Sequence, residues 1–282
     1  MIELAALPEL SDPVLLAAFE GWNDAADAAS GALSHLARTW DATPVAELDP
    51  EGYYDYQVNR PLVRLSGDGA RSLTWPTTRV SVARPGGRHD LVLVQGIEPS
   101  FRWKAFTGEL LGYAQALGTR LVVTLGALLA DAPHTRPVPV SGTTSDAQLA
   151  GQLSLEVSRY EGPTGIVGVL QEASTHAGLP AVSLWAAVPH YVAQPPCPKA
   201  TLALLRRVED LLDVPVPLGD LPEEARAWQR GVDELAAEDS EVAEYVRSLE
   251  LAKDTAELPE ASGEAIAREF ERYLRRRREG PS

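Results

Sequence analysis

Six apolar runs rich in β-branched residues punctuate the chain: VLLAAF (14–19), RVSVAR (79–84), LVLVQG (91–96), RLVVTLGAL (120–128), TGIVGVLQ (164–171) and AVSLWAAV (181–188). Near-continuous apolar runs of this length suit strands buried on both faces, as in a parallel sheet covered by helices. Helical periodicity fills the gaps. Residues 24–40 place Ala25, Ala29, Ala32, Leu33, Leu36 and Trp40 on one face at a 3.6-residue period. Residues 100–118 and 144–162 read as helices closed by Gly118 and Gly162, because glycine takes the left-handed conformation at a helix end without steric cost. Residues 198–214 are strongly amphipathic. Alternating strand and helix signals predict an α/β domain with helices on both sheet faces.

Two stretches depart from this alternation. Residues 42–78 hold YYDYQVNRPLVRL and RSLTWP among many turn residues, which predicts short strands outside the regular βα order. After VPVPLGDLP (214–222) strand signals stop. Residues 222–239, 240–254 and 263–278 read as two or three helices, the second with Ser240 as its cap. The expected division is therefore an α/β core at 1–218 and a helical module at 219–282.

Composition narrows the functional classes. The formal net charge is −15, from 40 acidic against 25 basic residues. Such a surface repels nucleic-acid phosphates and anionic lipid, so neither is an expected partner. The single cysteine, Cys197, excludes an intrachain disulfide and a paired-cysteine zinc site. The N-terminal MIELAALPEL lacks the basic and apolar regions of a signal peptide, and no apolar run approaches the roughly 18 residues of a membrane span. The expectation is a cytoplasmic protein with no metal and no cofactor.

Four stretches carry candidate chemistry. In FEGWNDAADAAS (19–30), Gly21 permits a turn after a strand, Trp22 projects beside the strand's carboxyl end, and Asn23 or Asp24 suits a helix cap. Asp24 is equally a candidate acid, base or ligand group, since α/β sheets bind ligands at that edge. In QGIEPSFRWKAF (95–106), Glu98, Arg102 and Trp103 stand at a helix entrance, where Glu98 and Arg102 can pair or grip a polar ligand. In LGALLADAPHTRPVPVSGTTSD (125–146), His134 and Arg136 lie in a proline-rich loop that suits an anion site or a subunit interface. In SLWAAVPHYVAQPPCPKA (183–200), His190 follows a strand end and is the best-placed general acid or base. No GxSxG, HExxH, P-loop or dinucleotide fingerprint is present.

Taken in order, GWNDAADAAS, GIEPSFRWKAF, GALLADAPHTRPVPVSG and SLWAAVPHYVAQPPCPKA resemble the proteasome assembly chaperone family in its actinobacterial-type branch. The resemblance runs from about Pro13 to Ala200. It implies a three-layer α/β/α sandwich similar to the purine nucleoside phosphorylase-like fold, with a C-terminal helical module. It also implies homo-oligomers, a trimer favoured, and chaperoning of proteasome subunits, and it supplies no catalytic residues. Archaeal relatives that engage the proteasome carry a C-terminal hydrophobic-Tyr-X tail. This chain ends RRRREGPS, with Tyr273 nine residues from the end, so that route of docking is not expected.

Two functions compete. One is a non-enzymatic, chaperone-like scaffold that works through oligomer surfaces. The other is a protein or enzyme that binds a nucleoside or phosphate in a cleft at the carboxyl edge of the sheet. The second requires Asp24, Glu98, Arg102, Arg136 and His190 to converge on one pocket.

Overall fold

The computed structural model describes residues 7–67 and 69–257. The helix expected at 263–278 and the RRRR run lie outside them. The core is an eight-stranded sheet. Its members in chain order are β1 (Val14–Glu20), β2 (Thr43–Glu47), β5 (Arg79–Ala83), β6 (Leu91–Ile97), β7 (Leu121–Ala130), β8 (Val140–Thr144), β9 (Glu156–Val157) and β10 (Ala181–Pro189). A separate two-stranded ribbon pairs β3 (Leu62–Leu65) with β4 (Arg71–Thr74). The helices are α1 (Ala28–Thr39), α2 (Trp103–Ala116), α3 (Ala147–Leu153), α4 (Ile166–His176), α5 (Pro198–Leu212), α6 (Leu221–Glu238) and α7 (Ser240–Glu257).

The sheet order is β2-β5-β6-β1-β7-β10-β8-β9. The expected parallel sheet is present at its centre, where β6, β1, β7 and β10 run parallel, and β9 pairs parallel with β8 at one edge. Both flanks are antiparallel, through β5 on β6 and β8 on β10. The sheet is therefore mixed. The outermost strands are poor templates for further pairing: β2 carries Pro44 and a register shift between Pro44 and Ala46, and β9 is two residues long.

Alternation along β1 sorts its side chains between two cores. Leu16 and Ala18 join the cluster with Leu33 and Leu36 of α1 and Leu204 of α5, whereas Leu15, Ala17 and Phe19 join that of Phe106 and Leu110 on α2 and Leu170 on α4. Phe19 and Phe106 meet edge to face at 5.7 Å. Helices thus cover both faces, as the apolar runs required. Leu221 and Ala225 of α6 belong to the α1–α5 cluster, so α6 shares the core of the sheet domain.

Three sequence expectations need correction. TGIVGVLQ is not a strand but forms most of α4. Its buried Ile166, Val167, Leu170 and Ser174 fall on one helical face, and the run extends to His176, too long and too regular for a strand. Residues 144–162 are not one helix. Val140–Thr144 adds to the sheet edge, Asp146 caps the short α3 by accepting from Gln148 N and Leu149 N, and Ser154 ends it at φ 53°. Finally, Asp239 and not Ser240 caps α7, accepting from Glu241 N at 2.9 Å and Val242 N at 3.3 Å.

Candidate functional site

The turn after β1 positions the first candidates. Asp24 is buried, and its carboxylate accepts from Ala29 N at 2.6 Å and Ser30 N at 3.3 Å. It reaches α1 from several residues upstream because Ala26 and Asp27 both take the left-handed conformation, which coils the chain before the helix begins. Burial raises the Asp24 pKa, against the hydrogen bonds that favour its charged form. Burial also raises that of Glu20, with help from the Asp27 and Asp24 charges. Neighbouring Asn23 donates through Nδ2 to Glu98 Oε1 at 2.7 Å, and the same oxygen accepts from Ile166 N at 2.9 Å. Glu98 therefore ties the turn to the amino end of α4. Asn23 Oδ1 lies against Gly165, buried and without a hydrogen-bond partner among the described residues.

Arg102 does not join Glu98. It sits at φ 55° ahead of α2, with its guanidinium 5.9 Å from the Tyr53 ring centroid. Trp103 donates from Nε1 to Pro99 O at 2.6 Å. Both stabilise the entrance to α2.

His134, Arg136 and His190 meet elsewhere, where the β7–β8 loop and the end of β10 receive α6 and α7. His134 is 1% exposed. Its Nε2 lies 3.0 Å from Asp233 Oδ1 and its Nδ1 2.7 Å from Tyr191 Oη. An ionised carboxylate only accepts, so a neutral His134 donates from Nε2, and the Tyr191 hydroxyl donates to Nδ1. Burial lowers the His134 pKa and favours this neutral form, although Asp233 pulls the other way. Lys199 donates to His134 O and, at 2.6 Å, to Gln229 Oε1. Arg136 forms a two-pronged pair with Asp254 at 2.8 and 2.7 Å and also donates to Glu250 at 3.2 Å. His190 Nδ1 is 3.3 Å from Asp131, which also accepts from Tyr245 Oη at 3.1 Å. The His190, Tyr191 and Tyr245 rings pack edge to face. Together these contacts form a clasp that fastens α6 and α7 to the sheet.

Asp24, Glu98, Arg102, Arg136 and His190 thus engage separate partners. The best-formed concavity uses other side chains. It is a cleft of about 690 Å³ beside the turn that holds Gly21 and Trp22. Antiparallel pairing sets Trp185 of β10 opposite Ser141 of β8, and Ser183 opposite Thr143, so these four side chains project from one sheet face and form the floor. The Trp185 indole packs closely on β7 at Gly126, where an added Cβ would come within 2.6 Å of its ring. Its Nε1 donates to Ser183 Oγ at 2.9 Å, and that oxygen also bonds Thr124 Oγ1 at 2.8 Å. Gly165, just before α4, and Gly168 of α4 line one wall, and Trp22, Leu128 and Tyr160 rim the mouth.

The PAC2 family model matches residues 18–236. The chain belongs to the PAC2 family. A PAC2 family protein from Streptomyces avermitilis is 70% identical and superposes with a TM-score of 0.80 over 83% of this chain and 100% of its own. A Mycobacterium tuberculosis proteasome-assembly chaperone homologue is 59% identical, with a TM-score of 0.76 over 83% and 99%. The archaeal proteasome activator PbaB of Pyrococcus furiosus shares the fold at 19% identity, with a TM-score of 0.64 over 81% and 95%. No curated protein matches the chain. The resemblance carried by the four stretches is borne out at the level of the family.

Sequence reasoning about this PAC2 chain placed Trp22 and Gly21 at the cleft but missed Ser141, Thr143, Tyr160 and Ser183. The alternating polar positions at 141 and 143, and at 183 and 185, held the signal, but their shared face depends on β8 adding to β10. No helix among the described residues is long and apolar enough to cross a membrane.

Proposed function

We propose that this protein is a non-enzymatic, oligomeric assembly chaperone or scaffold acting on proteasome subunits in the cytoplasm. One observation carries the reading: the β3–β4 ribbon is exposed along both strands, and it presents Leu62, Val63, Leu65 and Leu73 to solvent. Val63 pairs with Leu73, so strand alternation sets Val63, Leu65 and Leu73 on one face of the ribbon and Leu62 on the other. An isolated two-stranded ribbon is marginally stable in water, and an exposed apolar face of this kind marks an interaction surface. Trp75, exposed just after β4 and tilted against Tyr56 at 4.9 Å between ring centroids, adds an aromatic ring beside the ribbon. The 59% identical Mycobacterium relative, described as a proteasome-assembly chaperone homologue, supports the choice of partner. The commitment of His134, Arg136 and His190 to the clasp supports a role without catalysis.

The same proposal includes self-association, with a trimer favoured, a core with the purine nucleoside phosphorylase-like arrangement, and a division into 1–218 and 219–282. Its test has two parts. Light scattering should give a multimer for the full chain and a smaller species for Leu62→Ser/Leu65→Ser. Co-expression with proteasome α-subunits from the same cell should retain them on the tagged wild-type chain and lose them on that variant. A monomeric wild type sinks the oligomer. Absence of α-subunit retention, with normal proteasome maturation after deletion, sinks the chaperone.

A further inference from the structure

We propose that the cleft above Trp185 binds an uncharged small molecule with a planar heteroaromatic ring and hydroxyl or amide groups. Its volume of about 690 Å³ falls in the range of ligand pockets. The floor is preorganised. The Trp185 ring packs closely on Gly126 of β7 and is tethered by Ser183, so it is a fixed aromatic surface lining the cleft. Across the mouth stand the rings of Trp22 and Tyr160, largely exposed at 72% and 68%. Tyr160 is itself anchored, donating from Oη to Pro163 O at 2.7 Å. Exposed aromatics around an apolar cavity leave its surface wet until a flat apolar group displaces the water.

The polar groups set the ligand's character. Ser183 Oγ is already bonded to Trp185 and Thr124. Ser141 and Thr143, beside it on the floor, have no side-chain hydrogen-bond partner among the described residues. Gln171, which also lines the cleft, donates its amide to Thr143 O at 3.3 Å. The two hydroxyls can donate to or accept from a ligand, and an amide oxygen can accept. No lining residue is Asp, Glu, Lys, Arg or His. A phosphate or carboxylate entering the cleft would shed water without meeting a countercharge, and the chain's net charge of −15 opposes its approach. The chemistry selects a neutral ligand. This narrows the nucleoside-or-phosphate alternative to its uncharged half.

Calorimetry of the full chain with adenosine and thymidine as neutral probes, and AMP as the charged control, tests this. Saturable binding of at least one nucleoside, one per chain, is expected, with AMP about tenfold weaker than adenosine or worse. Thr143→Val keeps the shape and the melting temperature but weakens the bound nucleoside about tenfold, because one ligand polar group loses its partner. Trp185→Leu abolishes binding. Three results overturn the proposal: neither nucleoside binds, AMP binds as well as adenosine, or both variants bind as the wild type does. Protection of Trp22 and Tyr160 by a second copy, without nucleoside binding, also overturns it and makes the cleft an oligomer contact. Proteasome-subunit capture is a separate readout, so failure here leaves that reading standing.

Discussion

The clasp at Arg136 and the cleft above Trp185 are built from opposite materials. At the clasp, histidine, arginine, lysine and carboxylates satisfy one another: His134 with Asp233 and Tyr191, Arg136 with Asp254 and Glu250, His190 with Asp131. At the cleft no lining residue is charged, the Ser141 and Thr143 hydroxyls have no side-chain hydrogen-bond partner among the described residues, and aromatic rings face solvent. The residue types most associated with catalysis hold helices in place, while serine, threonine and tryptophan shape the open surface. Reactive side-chain chemistry indicates a site only when some of its bonding capacity remains unspent.

The contrast predicts a graded set of responses. His134→Ala should cost the most, about 3 kcal/mol, since it deletes a buried ring and removes the acceptor of the Tyr191 hydroxyl proton and the donor to Asp233. Hydrogen exchange in α6 and α7 should accelerate with it, while the sheet stays protected. A stable variant with unchanged exchange would show that the clasp is not what fastens these helices. The same histidine gives an acid-sensitive contribution. Its folded pKa lies below the ordinary 6.5, so the unfolded chain takes up the proton first. The contribution is complete above that value and fades as pH falls through it toward the lowered folded pKa. Asp233, Glu250, Lys199 and Tyr191 face the ring and set its depth. Urea midpoints across mildly acidic pH, compared with His134→Gln, measure the slope, which the variant should flatten.

Gly126→Ala comes next. Its methyl group meets the Trp185 ring, and overpacking of that kind costs about 1–3 kcal/mol. The near-ultraviolet dichroism of the tryptophans should change, and the cleft floor with it. An unaltered spectrum would deny that Gly126 sets the indole's tilt. Asp24→Ala removes the bonds to Ala29 N and Ser30 N and should cost about 1 kcal/mol, with Asp24→Asn milder. A loss of nucleoside binding from Asp24→Asn without loss of stability would instead make Asp24 part of the ligand site. Trp22→Ala should change stability by no more than about 0.5 kcal/mol because the ring is exposed. It should still weaken any occupant of the cleft. The clasp variant moves stability alone, Gly126→Ala moves stability and the cleft together, and Trp22→Ala moves binding alone.

Much of the sheet was legible. The runs at 14–19, 91–96, 120–128 and 181–188 became the parallel centre because apolar side chains on both pleats require cover on both faces. The segment at 164–171 misled because an eight-residue apolar run fits either period. Its helix is settled by the extension to His176 and by Glu98 accepting from its first amide. The family was legible from four short motifs. Which candidate residues meet was not. Arg136 finds Asp254 and His134 finds Asp233 across about a hundred residues of sequence, and no local pattern encodes such pairings. The cleft floor likewise arises from the register between β8 and β10, which is set by tertiary packing.

The outer strands of the sheet carry a last consequence. One edge is broken by Pro44 and a bulge, and the other is capped by a strand of two residues. Copies of the chain cannot readily extend the sheet by backbone pairing, the route by which exposed β-structure propagates into fibrils. Assembly by extension of the eight-stranded sheet is therefore disfavoured, and association falls to the apolar ribbon and the aromatic mouth.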